Sequence, residues 1–231
     1  MRWTGAAPDV VPDAALTDAF AGCLPGGRLA GPLLAFTAVS STQAVARGLA
    51  AAGAPEGTVV LADHQSAGRG RRGRPWLASP GTALLFSCVL RPALPPSRWP
   101  ELTLAAARAV AEGVEATTGV RARVKWPNDV LVGNRKLAGV LAEAVVGPAS
   151  FVVLGIGMNV AQRAEEWPPE LAGRAVSLAE LGPAVSREGL LAGVLARLAA
   201  RYDEFLGGGR LAVGFGEAVS AEGSRRPGGG G

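Results

Sequence analysis

The chain has 231 residues, of which 48% are hydrophobic, and a formal net charge of +4. No apolar run reaches the ~18 residues that span a bilayer, and Met1–Asp13 does not resemble a signal sequence, which argues against a membrane or secreted protein. The two cysteines, Cys23 and Cys88, form no C-x-x-C motif, so we expect reduced thiols and a cytoplasmic location.

The hydrophobic pattern predicts four helices, over residues 13–24, 41–52, 100–119 and 187–206. It predicts strands over residues 33–39, 58–64, 82–90, 121–126, 129–132, 135–146 and 151–160. Gly133-Asn134 is a two-residue hairpin signal between two of these strands. Because strands outnumber helices and hairpin signals exceed crossover signals, we expect an α+β fold, with a mixed β-sheet and helices packed on one face.

Composition divides the chain into three parts. Residues 1–30 form an N-terminal extension with a short helix, residues 31–206 a main domain, and residues 207–231 a glycine-rich tail. One histidine and two distant cysteines cannot complete a zinc site, so we predict no metal held by the protein alone.

The loop from Gly68 to Trp76, with sequence GRGRRGRPW, concentrates positive charge. Its glycines match G-x-G-x-x-G, but prolines follow where a dinucleotide-binding fold needs a helix, which argues against that fold. Guanidinium groups pair bidentately with phosphate oxygens, and glycines let the backbone approach a ligand closely. The loop therefore predicts a phosphate-bearing small-molecule ligand. Trp76 can either stack on a purine or cap a core.

The chain has only two lysines among its 23 basic residues, and they lie close together. Lys125 begins a K-W-P-N-D segment, and Lys136 begins K-L-A-G after the predicted turn. The turn would bring Lys136 back alongside Asp129, either as a functional lysine or as a structural ion pair across the hairpin. A third cluster, G-I-G-M-N at residues 155–159, ends a strand, and its glycines suggest close approach to a ligand.

Together with Ser41-Thr42 at a helix start and Gln65 before the loop, these motifs resemble the biotin–protein ligase family in order and spacing over residues 33–160. The resemblance is to the monofunctional type without a DNA-binding domain. It implies that residues 31–206 form a class II aminoacyl-tRNA synthetase-like, biotin–lipoate ligase-like catalytic domain. It implies activation of biotin by ATP and Mg²⁺ to biotinyl-5′-AMP, then transfer to a lysine of a biotin carboxyl carrier domain of a biotin-dependent carboxylase. It also implies a monomer or weak homodimer that binds no DNA and no membrane.

The resemblance assigns roles to individual side chains. The implied biotin-binding residues are Ser41, Thr42, Gln43, Gln65, Arg69, Gly70, Arg71 and Lys136. The implied ATP-binding residues are Arg71, Arg72, Arg74, Trp76 and Asn159. The implied catalytic residues are Lys136, Arg69 and Asp129. Lys136 would bridge the biotin carboxylate and the α-phosphate, Asp129 would orient the acceptor amine, and Gln43 stands where the family usually has Asn.

Two departures from the family and three alternatives remain. Only 40 residues precede Ser41, too few for the winged helix-turn-helix of some members, so we expect no operator binding. No strand pattern follows Leu206, so we expect the family's C-terminal β-barrel to be missing or truncated.

The alternatives are a lipoate or octanoate ligase of similar fold, a catalytically impaired biotin- or nucleotide-binding module, and a nucleic-acid binder suggested by the basic pI.

Overall fold

The computed structural model describes residues 11–182 and 184–208. Within these residues seven strands form one sheet: β1 Leu33–Val39, β2 Val59–Gln65, β3 Ala83–Leu90, β4 Arg123–Lys125, β5 Asp129–Val132, β6 Arg135–Val145 and β7 Phe151–Asn159. The α-helices of the same region are α1 Ala14–Ala21, α2 Thr42–Ala51, α3 Glu101–Thr118, α4 Leu178–Leu181 and α5 Arg187–Leu206. None of these helices is long and apolar enough to cross a membrane.

The strand order in the sheet is β1-β2-β3-β7-β6-β5-β4. Strands β1 and β2 are parallel, because α2 carries the chain back across the sheet between them. Every other neighbouring pair is antiparallel. Among the described residues the last strand in sequence is β7, and it lies in the middle of the sheet, between β3 and β6.

Apolar side chains alternate along the strands and cover both faces of the sheet. Leu61 of β2 and Leu154 of β7 face the larger core, which contains residues of α1, α3 and α5. Val60 and Val153, their neighbours in sequence, face a second core closed by α2. Because both faces are apolar, both need a covering layer, and burial of a Val or Leu side chain stabilises the fold by ~1.5–3 kcal/mol.

The predicted α+β fold with a mixed sheet is confirmed. Its helices were expected on one face, and α1, α3 and α5 do share a face. The placement of α2 differs from that expectation, because Val60, Val153 and Phe36 of the strands point to the opposite face and α2 packs against them. The sequence did not reveal that β1 and β2 are parallel, because hairpin signals outnumbered signals for the crossover that a parallel pair requires.

Helices α3 and α5 approach each other closely at glycines. A Cβ at Gly113 would lie 2.7 Å from the Cα of Val194, and a Cβ at Gly193 would overlap the hydroxyl of Thr117. Real Cβ contacts are longer, so only glycine permits this backbone separation.

Part of the predicted domain division falls outside the described residues. The N-terminal extension is described from residue 11 onwards. Within it, Phe20 of α1 is fully buried in the larger core. The glycine-rich tail, with the predicted missing or truncated barrel, lies outside the described residues from position 209 onwards.

Candidate active site

Two glycines leave a bare patch of backbone at the centre of the sheet. Gly139 of β6 pairs directly with Gly157 of β7, so both missing side chains fall on one face. A Cβ at Gly157 would lie 2.7 Å from Cε2 of Trp76, and a Cβ at Gly139 would lie 3.2 Å from Cζ3 of the same indole. We call this pair the glycine floor. The Trp76 ring rests on it, so the close approach that these glycines permit is made by a side chain of the protein itself, whereas the sequence predicted a ligand there.

Lys136 stands beside the same floor. Its Nζ lies 2.7 Å from Oδ1 of Asp129 and 5.5 Å from the centroid of the Trp76 ring. The side chains of Lys136 and Asp129 are 35% and 29% exposed, so solvent and ligands reach both. The predicted hairpin turn forms at Gly133-Asn134, with Gly133 at a φ of 57°, and it brings Lys136 to Asp129 as expected.

The arginine loop closes on itself through its backbone. Gly70 N–H donates to the Arg74 carbonyl at 2.7 Å, and Trp76 N–H donates to the Gly68 carbonyl at 2.9 Å. Arg72 at the tip has a φ of 59°, a left-handed conformation that costs of order 1–3 kcal/mol for a non-glycine residue. These two hydrogen bonds fix the backbone position of Trp76, and so place its ring on the glycine floor.

The guanidinium groups of this loop are solvent-exposed and lack counter-ions. Arg71 donates to Oδ1 of Asn128 at 3.2 Å. Across residues 11–182 and 184–208, no carboxylate forms an ion pair with any of the four arginines of the loop, Arg69, Arg71, Arg72 and Arg74. Positive charge without internal neutralisation, on the loop that carries Trp76 to the glycine floor, favours an anionic ligand.

Three of the predicted biotin-binding residues meet in one polar cluster under the start of α2. Gln65 Oε1 accepts from the backbone N–H of Thr42 at 2.7 Å and from its hydroxyl at 3.0 Å. Gln43 Nε2 donates to the Val153 carbonyl at 3.0 Å. Ser41 is the N-cap residue of α2 and makes no capping hydrogen bond with its side chain.

Asn159 lies at the end of β7 and is 4% exposed. Its amide nitrogen donates to the carbonyl groups of Lys136 and Val176, both at 3.2 Å. The amide N–H groups are thus used within the protein, where they tie β7 to the start of β6. Any contact of Asn159 with a ligand is left to its carbonyl oxygen. The Trp76 Nε1–H, by contrast, is buried without a hydrogen-bond partner in the described part of the chain.

Two residues of the site were not singled out from the sequence. Ser87 of β3 is fully buried and joins Thr42 to Gln43, with oxygen distances of 2.9 and 3.1 Å. Asn128 receives the Arg71 guanidinium and donates to the Val140 carbonyl at 3.2 Å. Asn128 could have been found from its place in K-W-P-N-D, whereas a single serine inside an apolar strand carries no sequence signal.

The comparisons with known proteins agree with this geometry. A model of the biotin/lipoate A/B protein ligase family matches residues 35–159. The bifunctional ligase/repressor BirA of Bacillus spizizenii is 42% identical over 171 residues, covering 73% of this chain and 53% of the relative. The biotin–[acetyl-CoA-carboxylase] ligase of Mycobacterium tuberculosis is 43% identical over 162 residues, covering 68% of this chain and 58% of the relative.

A solved structure of biotin protein ligase from Aquifex aeolicus, in complex with biotin and ATP, is also similar. It is 35% identical with a TM-score of 0.65, covering 76% of this chain and 72% of that chain. The chain spans little more than half the length of the two curated relatives.

Proposed function

Because the chain belongs to the biotin/lipoate A/B protein ligase family, we propose that it joins biotin to ATP as biotinyl-5′-AMP and transfers biotin to a lysine of an acceptor protein. One observation carries the proposal: Lys136 and Trp76 meet at one glycine floor, and Trp76 ends the uncompensated arginine loop. The named relatives and the Aquifex complex with biotin and ATP support biotin as the acid.

The first half-reaction needs neutralisation of charge rather than a base. A carboxylic acid with a pKa of ~4–5 is ionised at neutral pH, so its oxygen can attack the α-phosphorus directly. The new oxygen–phosphorus bond forms as the bond to the β-phosphate oxygen breaks, and pyrophosphate leaves with that electron pair. Two anions must approach each other, and the fixed cations of Lys136 and the arginine loop lower the repulsion.

Lys136 has to exchange partners during this step. The Lys136 ammonium group is held by Asp129 at 2.7 Å. When Lys136 turns to the acid carboxylate and the α-phosphate, the Asp129 carboxylate loses its counter-ion. It is then free to orient the acceptor lysine, whose amine attacks the acyl carbon, releases AMP and gives up a proton. The ion pair with Asp129 would thus hold Lys136 in place until the acid and ATP bind.

The arginine loop and Trp76 fit the nucleotide. Arg71, Arg72 and Arg74 would face the phosphates, while Trp76 would stack on adenine and Asn159 would offer its carbonyl oxygen. Arg69 would close over the activated acid and exclude water. Mg²⁺ is usually held by one or two carboxylates and by substrate phosphates. Within the described residues no group of three or more His, Cys, Asp or Glu side chains could cage a metal, so Mg²⁺ would enter bound to ATP.

A lipoate or octanoate ligase is the second candidate, since the family's name includes lipoate as well as biotin. The test is to incubate the purified chain with ATP, Mg²⁺ and either biotin or lipoate, and to measure pyrophosphate release. A biotin carboxyl carrier domain is then added, and its mass is recorded. We expect biotin-dependent pyrophosphate release and a biotinylated carrier. Pyrophosphate release with lipoate but not with biotin would assign the second candidate. If neither acid causes pyrophosphate release, the chain is a binding module.

A further inference from the structure

The backbone of Lys136 is held by a stretch of chain that follows β7. Strand β7 ends at Asn159, and beyond that point another part of the chain pairs with the start of β6. Lys136 N–H donates to the Arg174 carbonyl at 2.7 Å, and Val176 N–H donates to the Lys136 carbonyl at 2.9 Å. These two bonds form a short parallel bridge opposite Ala175. The bridge therefore sets where the Lys136 side chain leaves the backbone.

The bridge lies at the end of a turn that is closed by its own hydrogen bonds. Leu171 N–H donates to the Pro168 carbonyl at 2.8 Å, and Arg174 N–H donates to the Leu171 carbonyl at 2.9 Å. Each part of the turn is thus bonded to the next. A displacement at Trp167, where the turn begins, is passed on to the Arg174 carbonyl that holds Lys136.

Glu180 fastens both ends of this turn. Its Oε1 accepts from the Trp167 indole N–H at 2.7 Å, at the start of the turn, and from the Ser177 backbone N–H at 3.2 Å, just past its end. Its Oε2 accepts from Nη1 of Arg135, the residue before Lys136, at 2.8 Å. The Glu180 side chain is only 11% exposed, so water has little access to take the place of these partners.

A helix cap alone does not account for these contacts. Ser177 and Glu180 form a capping box at the start of α4, and in that role the Glu180 side chain needs only its bond to the Ser177 N–H. Trp167 and Arg135 lie outside α4, so the bonds to them join this helix to the turn and to the hairpin that carries Lys136.

We propose that Glu180 is a positioning residue, which places Lys136 by holding the turn that pairs with the Lys136 backbone. The route runs from the Glu180 carboxylate through Trp167 to the Arg174 carbonyl. The inference rests on the proposed function, in which the Lys136 ammonium group must lie between two anions during adenylation. Misplacing a reacting group by ~1 Å can lower a rate ~100-fold, so the turn matters even though it lies behind the site.

Glu180→Ala tests this route, with Glu112→Ala as the matched control. Glu112 also forms an ion pair with an arginine, Arg201 at 2.6 Å, but that pair joins α3 to α5. Glu180→Ala should lower kcat for pyrophosphate release ~10- to 100-fold, because Lys136 is no longer accurately placed. The KM for biotin should change by less than ~3-fold, and Glu112→Ala should change neither constant. A raised KM with an unchanged kcat in Glu180→Ala would overturn the proposal.

Glu180→Gln separates the turn from the ion pair. The amide oxygen can still accept from Trp167 and Ser177, whereas the negative charge opposite Arg135 is lost. If Glu180 acts through the turn, Glu180→Gln should keep kcat within ~3-fold of the wild type. A loss as large as that in Glu180→Ala would assign the effect to the Arg135 ion pair and overturn the proposal.

Amide hydrogen exchange without ligands keeps the test independent of the acid's identity. In Glu180→Ala the backbone amides of Lys136 and Val176 should exchange ~10-fold faster, while that of Leu154 in the middle of β7 should keep its wild-type rate. Glu112→Ala should leave all three unchanged. An unchanged Lys136 amide in Glu180→Ala, or an equal acceleration at Leu154, would overturn the inference. A faster Lys136 amide together with no biotin-dependent pyrophosphate release by the wild type would overturn only the proposed function.

Discussion

Adding one methyl group to the glycine floor should weaken nucleotide binding without unfolding the protein. In Gly157→Ala the new Cβ would lie 2.7 Å from Cε2 of Trp76, whereas ordinary contact begins at 3.4 Å. The indole must therefore rise by about 0.7 Å, the difference between these two distances. Overpacking of this kind costs ~1–3 kcal/mol, which corresponds to a roughly 5- to 150-fold loss of affinity if the ring carries the base stack.

Gly147→Ala is the matched control for this change. A Cβ at Gly147 would meet no atom within 4 Å, and its φ lies outside the left-handed region. Titration calorimetry with ATP should show the loss in Gly157→Ala and wild-type affinity in Gly147→Ala. A double-mutant cycle with Trp76→Ala then isolates the contact, because removal of the indole should abolish the effect of Gly157→Ala. Equal ATP affinity of Gly157→Ala and Gly147→Ala would refute the reasoning, as would an undiminished effect without the indole.

Three further predictions concern charge, packing and ionisation. Lys136→Ala should lower the rate of adenylate formation, measured as pyrophosphate release, ~10²–10³-fold with an unchanged thermal midpoint. The control is Lys125→Ala, which removes the other lysine, an exposed one, and should keep the wild-type rate of pyrophosphate release. Gly113→Ala should lower the free energy of unfolding, because a contact of 2.7 Å with Val194 costs ~1–3 kcal/mol and outweighs the ~1 kcal/mol by which alanine favours a helix; a raised midpoint in calorimetry would contradict this. Burial raises the pKa of the Cys88 thiol from 9.0 to about 12, so the folded state keeps a proton that the unfolded chain releases. The resulting stability is complete below pH 9 and falls by ~1.4 kcal/mol per unit as the pH rises towards 12. Denaturant unfolding at pH 8, 9 and 10 should show a steeper loss in the wild type than in Cys88→Ala, and parallel losses would refute it.

The fold was largely predictable because its strands and helices carry strong periodic patterns. The turn at Gly133-Asn134 fixed the β5–β6 hairpin, and with it the approach of Lys136 to Asp129. The placement of α2 was not predictable in the same way. Alternation along a strand shows that one face is apolar, but Val60 and Leu61 are both fully or almost fully buried. Only the packed sheet reveals that a helix covers each face.

The motifs located the candidate site, but not how its polar atoms are connected. Trp76 could stack or fill a core, and the structure places it on a bare stretch of backbone beside Lys136. Asn159 was expected to bind ATP, and its amide nitrogen donates to backbone carbonyl groups of the protein instead of facing a ligand. Such partners lie 23 and 17 residues away in sequence, and no local pattern encodes them. Ser87 was missed for the same reason.

The central position of β7 has a consequence for how the molecule assembles. The first half of the sheet consists of β1 to β3; Gln65 ends β2, and Thr42 begins α2, which connects β1 to β2. The other half, β4 to β6, carries Lys136 in β6. In the strand pairing of the described residues, the two halves are joined only by β7, which pairs with eight residues of β3 and eight of β6. During synthesis on the ribosome, neither half can acquire the other's side chains until Asn159 has emerged. Joining strands so distant in sequence is slow, because the chain loses loop entropy before the new contacts form. Pairing of β7 with β3 and β6 is thus expected to be the late, rate-limiting event of folding. The ability to bind ligands should appear in the same kinetic phase as the completed sheet.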